Sequence, residues 1–281
     1  MIQSAHIGFG IQGNEGNQAS SFSDYSITQF QDLNQMIFWH GRCFAWKASN
    51  FTMWFVFKGM LFSVPILFFN TQCGYSGTTY VEDYYFALYE VILTTFAIYF
   101  YLLIDQDVSF ADRFNQKVRQ LIPKLYSYKI SSQLNHKLSR FCFYSLYAWY
   151  CGFLAFFIPF LAMNDLVNSR GKTGGLWSSG LASFSVVIFT HHAMIFIGTR
   201  NYTYVTFTAY LFSLNCFIPI TMLLNEYTKG TSTYRTTFSD ILGGTALYWL
   251  SVLIVMAMTC LPLYLVKSFE MVWASPDKYL K

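Results

Sequence analysis

Charge is what this sequence has least of. Only 11% of its 281 residues are Asp, Glu, Lys or Arg, against 54% hydrophobic and 21% aromatic residues. A soluble domain carries about 25% charged residues. The shortage therefore excludes an ordinary water-soluble globule and points to a chain that crosses a membrane several times. Cysteine chemistry is thin as well. The six cysteines stand singly at positions 43, 73, 142, 151, 216 and 260, with no C-x-x-C pair and no Cys/His ligand spacing. That pattern excludes a disulfide scaffold and a zinc site. The net charge of +4 is too small to mark a nucleic-acid partner. The opening residues are polar and Gly-rich, so no signal peptide is expected and the first span is expected to direct insertion.

Long apolar runs supply what charge does not. Six segments are long enough to span a bilayer: 51–69, 84–104, 141–163, 176–198, 202–224 and 241–266. The first is nineteen residues, about 28 Å as a helix, and Lys58 is its one charged residue. It joins a polar stretch containing His40, Arg42 and Lys47 to the membrane domain. Six spans put both termini on one side. That side carries thirteen of the eighteen Lys and Arg residues, seven of them between 105 and 140, whereas the opposite loops carry four. The positive-inside rule then places the termini and the 105–140 loop in the cytoplasm, with the loop's basic residues facing anionic lipid. The sequons at Asn50 and Asn201 fall on the cytoplasmic side in this topology, and neither is expected to carry glycan.

Residues 1–38 form the one block ahead of the membrane, too short to bury a core, and read as the end of a larger domain. Ile7, Phe9 and Ile11 alternate with smaller residues and predict a short strand. Glu15–Ser21 predicts a helical turn or two. From Ser26 the spacing of Ile27, Phe30, Leu33, Met36 and Ile37 predicts a helix running into the first span. Gly8, Gly10 and Gly13 spell G-x-G-x-x-G, with Asp32 nineteen residues further on. That fingerprint needs a βαβ unit, and here the chain enters the membrane instead. The glycines are read as serving a tight strand-to-helix connection.

Within the spans Glu90 is the lone acid. Spans joined by a short loop pack as an antiparallel hairpin, so Lys58 and Glu90 either meet near mid-membrane or line one polar groove at different depths. A paired acid and base cost far less there than two isolated charges. His191 and His192 read as satisfied core histidines rather than ligands. Pro65, Pro159, Pro219 and Pro262 lie inside spans and read as kinks.

A series of motifs then carries a resemblance. MIQSAHIGFGIQGNEGNQA, SDYSITQF and WHGR are followed by FKG at Phe57–Gly59, CGYSGTT at Cys73–Thr79, YEVILT at Tyr89–Thr94 and DQDVS at Asp105–Ser109. PKLY, FFIPF and CLPLYLVK extend the series to the C-terminus. In order and along the whole chain, these resemble the end of the phosphorylation domain and the last six membrane helices of type IV P-type ATPases, the phospholipid flippases. The fold implied is an all-α, six-transmembrane-helix bundle (39–281) with a short α/β remnant of a cytoplasmic domain at 1–38.

The resemblance implies ATP- and Mg2+-driven movement of phospholipid to the cytoplasmic leaflet, in a plasma, Golgi or endosomal membrane, with an accessory beta-subunit as a possible partner. It matches Lys58 to the lysine of the lipid path, flanked by Phe57 and Gly59 where the family often has tyrosine and asparagine. Glu90 stands at a common asparagine and Phe96-Ala97 at a frequent Leu-Pro; Thr94 completes the path residues. The sequence holds no DKTGT phosphorylation site, TGE loop or GDGxND magnesium loop. By itself this chain is therefore expected to be inactive, with no catalytic or metal residue of its own. It reads as the C-terminal part of a flippase. The alternatives are a non-catalytic lipid-binding or regulatory relative, and a six-helix channel or carrier.

Overall fold

The computed structural model describes residues 4–13, 18–105, 138–164, 175–200, 202–227 and 244–273, with Val167, Gly171 and Phe238. These fall into two compact units that meet in sequence between Ser49 and Asn50. Most of the basic 105–140 loop lies outside the described residues, as do residues 14–17 of the expected first turn and Asn201.

The first unit holds a two-stranded parallel sheet. The strand expected around Ile7–Ile11 is β1, Phe9–Ile11, and a four-residue helix α1, Gln18–Ser21, follows it. The helix expected from Ser26 begins later, because Tyr25–Ile27 form a second strand, β2, registered Phe9↔Tyr25 and Ile11↔Ile27. The ladder outweighs the helical spacing there: Tyr25 N–H donates to Gly8 O at 3.1 Å, Gln12 N–H to Ile27 O at 2.9 Å, and Ile27 is buried. Gly10 is needed for closeness. A Cβ on it would lie 2.6 Å from Ser23 Oγ and 2.7 Å from Ser20 Cα, so a side chain would push α1 off the strand. Gly8 N–H donates to Asp24 Oδ2 at 2.8 Å. Asp32 accepts from Thr28 Oγ1 and Gln29 N–H, both at 3.2 Å, at the start of the next helix. That helix is α2, Asp32–Gln35, followed by a π-helical stretch, Met36–Gly41, and by the 31-residue α3, Arg42–Gln72.

Among the described residues, six helical runs have the length and composition to cross a membrane: Asp32–Gln72, Asp83–Ile104, Phe141–Met163, Gly175–Gly198, Tyr204–Leu224 and Ala246–Phe269. The second is α4, Asp83–Leu88, and α5, Thr95–Ile104, separated by a π-helical stretch, Tyr89–Leu93. Then come α6, Leu138–Met163, and α7, Gly175–Gly198. The fifth is α8, Tyr204–Asn215, and α9, Phe217–Tyr227, divided at Cys216; the last is α10, Ala246–Trp273. The last span starts at Ala246 where 241 was expected; residues 241–243 lie outside the described ones.

Within the second unit α7 is the hub. It is buried over most of its length from Ser178 to Ile195 and packs against α5, α6, α8 and α10. Hydroxyls on α7 and α6, and a glycine on α6, explain how the bundle accommodates three of its prolines. Pro159 has no N–H for the carbonyl four residues back, Ala155, and Ser183 Oγ of α7 donates to that oxygen at 2.7 Å. Pro262 frees the Met258 carbonyl in the same way, and Tyr150 OH of α6 donates to it at 3.2 Å. Pro65 frees the carbonyl of Leu61, which faces Gly152 of α6. A Cβ there would sit 3.4 Å from Leu61 O and 2.6 Å from Val64 Cβ, so the two helices touch through a glycine. In each case the neighbouring helix satisfies or shields the freed backbone group, as a low-dielectric surrounding demands.

Two further ties fix the helix ends. Tyr80, in the turn after α3, stacks on Phe69 at 4.4 Å and donates from its OH to Ser179 O at 3.1 Å. Burial pushes its phenol well above the ordinary range, so it stays a neutral donor. Asp105, buried just past α5, accepts the Arg200 N–H at 3.2 and 3.3 Å and pins α5 to the α7–α8 turn.

Candidate functional site: a charge pair at a helix break

The break in the second span comes from its sequence. Thr94 and Thr95 are β-branched hydroxyl residues that can bond to their own backbone and so compete with the helical ladder. Thr94 Oγ1 donates to Tyr89 O at 2.5 Å and Thr95 Oγ1 donates to Glu90 O, each reaching back five residues. Thr94 itself has φ −119°, wide of helical values. The ladder opens over Tyr89–Leu93 without any proline, and the Glu90 carbonyl is available to a partner outside its helix.

Lys58 is that partner. It sits at the middle of α3 with its side chain 1% exposed, and Nζ lies 2.8 Å from Glu90 Oε2. The same nitrogen donates to Glu90 O at 3.4 Å and to Thr95 Oγ1 at 3.1 Å. Three acceptors thus meet the three ammonium protons. The ring of Phe55 lies 4.9 Å from Nζ and that of Tyr89 6.0 Å, adding their negative faces. Tyr89 locks the pair's other side. Its OH donates to Lys58 O at 2.8 Å, and its ring stacks on Phe62 at 4.7 Å.

The pair is lopsided. Lys58 is enclosed, whereas the Glu90 side chain is 35% exposed. An ion pair of this kind is neutral overall yet presents a carboxylate to whatever approaches. Of the two readings left open by the sequence, the structure has the charges in contact.

The other residues singled out from sequence have different surroundings. Phe57 is buried, edge-on to Trp54 at 5.7 Å, and does not join the pair. Gly59 borders open space: a Cβ there would meet nothing within 4 Å. Thr94 is fully buried and braces the break. Thr95, Tyr89 and Phe55 escaped the sequence reading, although the Thr-Thr pair inside an apolar run was a usable signal for the break.

A second polar group adjoins the break. His192 Nε2 and Ser213 Oγ are 2.9 Å apart, and Ser213 Oγ donates to Leu93 O at 3.5 Å, linking α7 and α8 to the break. His192 is the satisfied core histidine expected. His191 is not: it is fully buried, with no hydrogen-bond partner on either ring nitrogen among the described residues. No group of three or more metal-ligating side chains occurs among the described residues.

These features define a polytopic helical membrane protein whose intramembrane charges converge at one opened helix. Residues 20–276 match the family model described as phospholipid-translocating P-type ATPase C-terminal, and the chain belongs to that family. It is similar to human phospholipid-transporting ATPase IG, 29% identical over 206 residues, covering 73% of this chain and 18% of that protein. Human phospholipid-transporting ATPase IC is 28% identical over 291 residues, covering 100% of this chain and 22% of the relative. The probable phospholipid-transporting ATPase 4 of Arabidopsis thaliana is 26% identical over 279 residues, covering 96% and 22%. The chain spans about a fifth of the length of these relatives.

Proposed function

We propose that this chain is the transport-domain part of an ATP-driven phospholipid flippase, moving lipid from the outer to the cytoplasmic leaflet. The observation that carries the reading is the Lys58–Glu90 pair, held inside a span at a broken helix and open on its Glu90 side. A charge in a membrane interior is costly and is kept where it serves a polar cargo. Lys58, Glu90 and Gly59 line the lipid path in this reading; Thr94 holds the opening, and Phe57 backs α3 from the inside. ATP and Mg2+ belong to the phosphorylation machinery of the family, and an accessory subunit is a further expected partner. The termini lie in the cytoplasm, supported by the thirteen basic residues on that face.

The test is translocation. In a flippase carrying this C-terminal region and reconstituted into vesicles, Lys58→Ala is expected to cut inward movement of headgroup-labelled phospholipid by at least about tenfold. Translocation at the unsubstituted rate would remove Lys58 from the path.

A further inference from the structure

We propose that the outer face of the fifth span docks a second copy of this chain, the two spans pairing in parallel through Asn215. The inner face of α8 is taken: Thr206, Ala209, Tyr210 and Ser213 are buried, and the helix packs against α5 and α7. On the opposite face Tyr204, Thr208, Leu211, Asn215 and Met222 are exposed, and Ile218 is half-buried. These six follow one another at alternating steps of four and three residues, the repeat with which two helices wind about each other. In that repeat Thr208, Asn215 and Met222 share one kind of seam position. Asn at this position pairs with its own counterpart in parallel two-helix seams. Two copies inserted in one bilayer with the same orientation present their fifth spans in parallel.

What demands a partner on this face is polar. Asn215 stands near the middle of the span Tyr204–Leu224. Its Nδ2 donates to Leu211 O at 2.7 Å, which uses one of its two amide protons. The second proton and Oδ1 meet no partner among the described residues. The Asn215 backbone carbonyl is short of a donor as well, because Pro219, four residues on, has no N–H to give. Among the described residues no neighbouring helix reaches that carbonyl, as Ser183 and Tyr150 reach those freed by Pro159 and Pro262. Lipid tails neither donate nor accept, and phospholipid ester oxygens only accept and lie near the interface. Bare polar groups in the bilayer core are costly. A second copy answers them with groups already present. Each Asn215 gives its spare amide proton to Oδ1 or the backbone carbonyl of the other, and a two-fold axis along the membrane normal serves both copies alike.

The experiment is energy transfer between donor-labelled and acceptor-labelled copies of the 281-residue chain in phosphatidylcholine vesicles, over a series of protein-to-lipid ratios. The unsubstituted chain should pair, with transfer rising with the acceptor fraction as a dimer requires. Asn215→Leu should raise the dissociation constant by about tenfold, the scale of one or two hydrogen bonds between membrane helices. Asn215→Gln, which keeps the amide, should recover part of that loss. Pro219→Ala, which gives the carbonyl an N–H from its own helix, should raise the constant by about threefold. Leu253→Ala, exposed on α10, should leave it unchanged. Transfer no greater than that of a non-associating membrane protein at every ratio, or equal pairing by Asn215→Leu, would overturn the proposal. Pairing of this chain that vanishes in a flippase carrying this region would give the face to another part of the same polypeptide and overturn it too. Cross-linking of position 215 to an accessory subunit in place of a second copy would do the same.

Discussion

Lys58 and Glu90 share one hydrogen-bonded arrangement, so removing either acts on both. Lys58→Ala strands the Glu90 carboxylate beside apolar rings. Because Glu90 keeps about a third of its side chain exposed, the loss falls below the about 3–5 kcal/mol typical of a fully buried pair, to about 1–3 kcal/mol. Adding Glu90→Gln to Lys58→Ala should recover part of it. Thermal unfolding in detergent around the full double-mutant cycle checks this, and strictly additive losses would show that the contact contributes no coupling. The two histidines make a second contrast at this scale. His192→Leu breaks the bond to Ser213 inside the bundle and should cost about 1–3 kcal/mol. His191→Leu removes two ring nitrogens that have no partner among the described residues, so it should be neutral or stabilising. The same unfolding assay separates them: an equal loss in both would mean that His191 is as well satisfied as its neighbour.

At the scale of elements, the bundle answers two of its prolines, Pro159 and Pro262, by lending donors across helices. Ser183→Ala leaves the Ala155 carbonyl without its donor and should destabilise by about 1–2 kcal/mol. In a Pro159→Ala background, the helix can supply its own N–H to that carbonyl, so Ser183→Ala should then cost almost nothing. A Ser183→Ala penalty of equal size in both backgrounds would contradict the exchange. The number of candidate spans among the described residues was legible in the sequence, because nineteen or more apolar residues in water have few alternatives to a membrane. The break in the second span was not read from it. No proline marks it; Thr94 and Thr95 open the helix by bonding back to Tyr89 and Glu90, a competition that apolar spacing does not reveal. The strand at Tyr25–Ile27 was hidden for a related reason. Its apolar spacing also fits a helix, and a parallel partner 16 residues earlier decided the matter.

For the whole molecule, topology and transport are the open predictions. Both termini and the 105–140 loop are expected in the cytoplasm, so single cysteines between Gly74 and Thr79 should label from outside intact cells. Those placed between 115 and 135 should label only after permeabilisation, and labelling of the latter in intact cells would overturn the six-span orientation. The candidate site was half legible. Two opposite charges in neighbouring spans announced themselves, but their contact, its three-acceptor geometry and its one-sided exposure depend on the helix break. The central claim is that Lys58 serves lipid rather than phosphoryl chemistry, and one comparison tests it most directly. In a flippase carrying this region, phosphoenzyme formation from ATP should persist in Lys58→Ala while lipid-stimulated ATPase activity falls at least about tenfold for every headgroup. Full stimulation by each lipid in Lys58→Ala would contradict it.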